Sequence, residues 1–165
     1  MVALDLRRAI RAHIASRQVA RVIYGAIIGL ALVVALESHP PGAGVVAGLV
    51  IGTAVAVALA EVYSELVGSE LRRRLHGELR QIAIDGAAVA AGVGFPAVFF
   101  VLAALDVLEL DTAFTVAKWS GAGLIAFYGF CAARLSGAGV AAALLQAIAV
   151  CLIGLALIAL KAVLH

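Results

Sequence analysis

Residues 45–74 read VVAGLVIGTAVAVALAEVYSELVGSELRRR, and the class of fold turns on how this stretch is understood. About 16 residues, Val45 to Ala60, carry no charge and a single hydroxyl, Thr53. The stretch has the character of a membrane-spanning helix that takes in Glu61 and Glu65 before it ends at Arg72, Arg73 and Arg74. A carboxylate inside a span is expensive and needs a partner, a water-filled cavity or a bound cation. What Glu61 and Glu65 are for is the functional question the chain poses.

Composition agrees with the reading of this stretch. Hydrophobic residues make up 65% of the chain and charged residues 13%. With a mean hydropathy of +1.15, these values lie outside the range of soluble domains. Several apolar runs exceed the roughly 18 residues that a bilayer crossing requires. The expected fold is all-α: a polytopic membrane protein with a single bundle and no soluble domain. Cys131 and Cys151 stand alone in apolar runs, without metal-type spacing, and read as small buried hydrophobes.

Taken in order, residues 1–18 place Leu6, Ile10 and Ile14 on one face and Arg7, Arg8, Arg11 and Arg17 elsewhere. That pattern predicts a basic amphipathic helix lying in the headgroup region. A five-helix transmembrane domain follows over 19–165, with spans at about 19–37, 43–67, 82–105, 112–133 and 140–164. His39-Pro40-Pro41-Gly42 and Ser136-Gly137-Ala138-Gly139 mark turns. Pro96 is expected to kink the third span.

Orientation follows from the basic residues. The N-terminal segment through Arg21, the loop after span two and the turn after span four hold all ten arginines, against Lys118 and Lys161 on the opposite side. By the positive-inside rule the N-terminus is cytoplasmic and the C-terminus outside. Gly25 and Gly29 are four apart, as are Gly44, Gly48 and Gly52, with Ala56 and Ala60 continuing that face. Such small-xxx-small seams let helix backbones approach closely in lipid. They support a homodimer, and intramolecular packing uses the same spacing.

Glu61 and Glu65 are one helical turn apart and share a face. Glu61 lies about 9 Å from the cytoplasmic end of its expected helix, while Glu65 is near the interface. Asp85 lies about one turn into span three on the same side, so three carboxylates converge on the cytoplasmic half of the bundle. Oxygen ligands of this kind suit divalent cations. Pairing with Arg21 or Arg72 to Arg74, at the same depth, is the structural alternative. Lys118 is read as snorkelling outward, and Glu37 as a solvated helix end. Tyr24, Tyr128 and Gln146 read as partners in interhelical hydrogen bonds. The chain shows no hydrolytic or redox constellation and no phosphate-binding loop, so no enzymatic activity and no nucleic-acid partner are expected.

Four short motifs carry a resemblance. GAIIGL at 25–30 is similar to a Gly-Ala-Asn-Asp-Gly-Leu motif, and AVALAEVYSELVGSEL to a Gly-Glu-Tyr-x-Ser segment, with Glu61 on the glutamate and Ser64 on the serine. GVGFPAVFF matches a Gly-x-x-x-Pro with Pro96 on the proline, and AARLSGAG resembles a link between the last two spans. Together these resemble the vacuolar iron transporter family. The resemblance implies five spans, a cytoplasmic N-terminus and iron or manganese as a transported substrate in exchange for protons. It places Glu61 on the family's ion- or proton-binding position, and the convergence of carboxylates adds Glu65 and Asp85 as assisting residues. The family's Asn-Asp pair is Ile27-Ile28 here, its second-span methionine is absent from 56–59, and its large cytoplasmic metal-binding insertion is missing. The expectations are therefore a multi-pass protein of a bacterial plasma membrane, acting as a cation transporter, or alternatively as a non-transporting scaffold in which the carboxylates pair with arginines.

Overall fold

The structure, a computed structural model, describes residues 17–70 and 78–163. The amphipathic helix expected over 1–18 (apart from Arg17 and Gln18) and the arginines at 72–74 lie outside the described residues. The described residues form six helices in order: α1 Arg17–Glu37, α2 Ala43–Glu70, α3 Glu78–Gly94, α4 Ala97–Ala104, α5 Leu110–Leu135 and α6 Val140–Val163. No strand occurs among the described residues.

Two segments, Val19–Glu37 and Ala43–Gly68, are long and apolar enough to cross a membrane by length and composition. The region expected as the third span forms two helices. Arg80–Gly94 and Ala97–Ala104 meet at 52° and pass the same test only as a pair. The break falls at Phe95 and Pro96. Phe95 N–H still donates to the Ala91 carbonyl at 3.0 Å, but Pro96 has no N–H to give the carbonyl of Gly92, and the helix restarts after it.

Helix α1 is the hub, touching α2, α3, α5 and α6, and its most extensive packing is against α3. Glycine makes that approach possible. A Cβ at Gly25 would strike the Val89 carbonyl oxygen, and one at Gly92 would strike the Val22 carbonyl oxygen. Backbone therefore lies on backbone, close enough for Cα–H···O contacts. Gly29 packs against Val93 in the same way.

The glycines of α2 do the opposite. Gly44, Gly48 and Gly52 have no neighbouring atom within 4 Å of where a Cβ would stand, and Ala56 and Ala60 are exposed as well. The reason is rotational. Val46, Val50 and Ala54 are the buried positions of α2, and the glycines sit about 200° around the helix from them at two residues' remove. The expected seam on α2 thus exists, but it takes no part in packing among the described residues.

The core divides by height. Val33, Val46, Val50, Phe100 and Phe114 form one cluster, in which the Phe100 and Phe114 rings meet edge to face with centroids 4.8 Å apart. Ala26, Leu30 and Ile125 form a second, between α1 and α5. The α4 and α5 helices both end in a left-handed residue, Asp106 at φ 56° and Gly137 at φ 89°. Each end also has the paired C-terminal hydrogen bonds that go with such a cap: Val107 N–H to Leu102 at 2.9 Å and Ala138 N–H to Ala133 at 3.1 Å.

Gly92→Ala should lower stability in detergent by about 1–3 kcal/mol, the usual cost of overpacking. Gly48→Ala, which adds a methyl in open space on a helix, should be neutral or slightly stabilising. Thermal unfolding of both variants checks this, and equal losses would contradict the assignment of the two glycine rows.

Candidate functional site

The three acids singled out from sequence do come together, around a guanidinium. Arg21, one turn into α1, directs Nη1 to Glu61 Oε1. Its Nη2 donates to Glu65 Oε1 at 2.8 Å and lies 3.2 Å from Asp85 Oδ2. Gln81 Nε2 donates to the other Asp85 oxygen at 2.9 Å, one turn away on α3. Three helices therefore converge on one planar cation. A guanidinium is the side chain suited to this because its fork of donors can serve several carboxylate oxygens at once.

Burial reorders the acids. Glu61 and Glu65 have nearly equal side-chain exposure, 25% and 28%. Enclosure by neighbouring side chains therefore does not separate Glu61 from Glu65. Asp85 is the most enclosed at 6%. It projects from α3 where that helix is pressed against α2: a Cβ on neighbouring Gly86 would stand 2.8 Å from the Val62 side chain. Glu65 has further interactions beyond the bond to Arg21. Ser64, the other residue matched in the second-span motif, turns away and donates to the Glu61 backbone carbonyl at 2.9 Å.

Among the described residues no three His, Cys, Asp or Glu side chains are arranged to hold a metal ion. The carboxylates point at Arg21, whose guanidinium stands where a cation between them would be.

A second ion pair lies at the other end of α1. Lys118 of α5 donates to Glu37 Oε1 at 2.6 Å, with both side chains about a third exposed. Spacing along each helix predicts Lys118 snorkelling outward alone and Glu37 in solvent, and the pair departs from both. The available signal was that two opposite charges fall on the same side of the bundle, which spacing within one helix does not reveal. The expected interhelical hydrogen bonds of Tyr24, Tyr128 and Gln146 are not formed among the described residues, and Tyr24 and Gln146 are exposed. Cys131 and Cys151 are free and partly buried.

Comparison with known protein families, characterised proteins and solved structures finds no match.

Arg21→Gln leaves the Asp85 carboxylate enclosed with Gln81 alone. Its cost should lie between the about 1 kcal/mol of an exposed pair and the about 3–5 kcal/mol of a buried pair broken on one side. Adding Asp85→Asn should recover part of that loss in a double-mutant cycle. Glu37→Gln should cost no more than about 1 kcal/mol. Denaturant unfolding in detergent measures all three.

Proposed function

We propose that the chain is a five-span protein of a bacterial plasma membrane that works as a non-transporting scaffold or assembly partner. Helices α1, α2, the bent pair α3–α4, α5 and α6 are the five spans, with the N-terminus cytoplasmic. The support for that orientation is the ten arginines gathered at one end of the spans. The observation that carries the scaffold reading is Arg21 in the middle of the three carboxylates. The acids that a cation transporter would offer to its substrate are engaged in tying α1 to α2 and α3. The outward row Gly44, Gly48, Gly52, Ala56 and Ala60 supplies the face for assembly, and a homodimer through α2 is its simplest use.

One observation favours a second reading. Glu61 and Asp85 bring two negative charges to one guanidinium before Glu65 is counted, and an unbalanced carboxylate in a membrane tends to take up a proton or cation. With the motif resemblance to the vacuolar iron transporters, this supports exchange of a divalent cation such as iron or manganese for protons at Glu61.

Proteoliposomes loaded with the wild-type chain separate the two. The scaffold reading expects manganese uptake no greater than in empty vesicles, with Glu61→Gln lowering thermal stability only. Uptake above the empty vesicles that Glu61→Gln abolishes would establish transport instead. For the dimer, Gly48→Cys in a chain carrying Cys131→Ser and Cys151→Ser should give a disulfide-linked dimer in membranes, while Ala83→Cys on α3 should not. Equal cross-linking at both positions would rule out the α2 face.

A further inference from the structure

A groove of about 440 Å³ opens between α3 and α5 above α1. Val22 of α1 forms its floor, Ile84, Ala91 and Phe95 one wall, and Leu124 and Tyr128 the other. No side chain among the described residues fills it, and its lining is almost wholly apolar. The groove is also directional. Helix α5 runs antiparallel to α1, since Lys118 pairs with Glu37 at the far end of α1 and Gly121 faces Leu30. Tyr128 therefore lies at the same end as Val22 and Ile84, and Phe95 marks the deep end. From Ile84 to Phe95 the helix rises about 16 Å, close to half of the roughly 30 Å hydrocarbon core. The groove is one leaflet deep.

Its shallow end carries a charge. Arg80 is four residues before Ile84, on the same face of α3, and is exposed. It forms no ion pair among the described residues. The Tyr128 phenol, at the same end, makes no hydrogen bond among them either. A slot matching one leaflet in depth, with a cation one turn beyond its mouth and a hydroxyl inside it, neither of them partnered among the described residues, fits one class of molecule.

We propose that this groove is a binding site for an anionic phospholipid of the leaflet on the Arg80 side. One acyl chain lies along Ile84, Ala91 and Phe95, and the headgroup phosphate is held at Arg80. The site rests on the membrane-spanning reading of α1 and α3 and is independent of the scaffold or transport assignment. A basic residue at the membrane surface contributes about a fivefold preference for an anionic lipid.

Native mass spectrometry of the full chain in detergent tests it with phosphatidylglycerol and phosphatidylcholine of identical chains. One phosphatidylglycerol should be retained about fivefold more than phosphatidylcholine. Arg80→Gln should remove the preference and keep binding of both lipids. Ala91→Phe or Ala87→Phe, both at exposed positions of the α3 wall, should remove retention of both, while Ala83→Phe beside the groove should not. Equal retention of the two lipids by the wild type, or undiminished retention after both groove-filling changes, would overturn the site. Alkaline extraction of membranes tests the spanning reading separately, because a chain that does not span is released into the aqueous phase.

Discussion

A guanidinium one turn inside an apolar helix constrains everything near it. Arg21 has a side chain only 13% exposed, and a charge enclosed to that degree is costly unless it is paired. Its charge must therefore be met from neighbouring helices. Meeting it from α2 and α3 together, through Glu61, Glu65 and Asp85, sets the height and rotation of both helices relative to α1. The close seating of α1 on α3 through Gly25, Gly29 and Gly92 serves the same end, because it brings Asp85 within reach of Arg21. Packing and ion pairing are two parts of one arrangement.

The opposite end of α1 repeats the arrangement with the charges reversed. There the hub helix supplies the acid, Glu37, and α5 the base, Lys118. The two polar ties are 16 residues apart on α1, about 24 Å along the axis. Between them the contacts are apolar: Leu30 against Gly121 and Ile125, and Val33 in the cluster with Phe100 and Phe114. A helix held by charge at both ends and by close packing between them has little freedom to slide or turn.

Much of this could be read in the sequence, and the parts that could not share a cause. Depth along a helix follows from residue count, so Glu61, Glu65 and Asp85 could be put in the same half of the bundle, with Arg21 or Arg72 to Arg74 as the basic residues near them. Rotation does not follow from count. Whether Glu61 or Asp85 is the more enclosed depends on which helix is pressed between two others, and that helix is α3. The same limit explains the glycine rows. Spacing of four identified Gly25 and Gly29 and also Gly44, Gly48 and Gly52, but only the placement of Val46, Val50 and Ala54 in the core sends the second row outward. The pairing of Lys118 with Glu37 joins residues 81 positions apart, beyond any local signal. Pro96 was legible as a breaker because the loss of its N–H is a property of the residue itself.

The central claim is that Arg21, and not an exchangeable cation, holds the three carboxylates. Solid-state NMR tests it most directly, through dipolar recoupling between the ¹⁵N-labelled Arg21 guanidinium and the ¹³C carboxyl of Asp85, with the chain in lipid bilayers. The account predicts a direct contact, with nitrogen and oxygen inside the roughly 4 Å of a salt bridge, unchanged when manganese is added. Absence of that contact, or its loss on adding manganese, would contradict it.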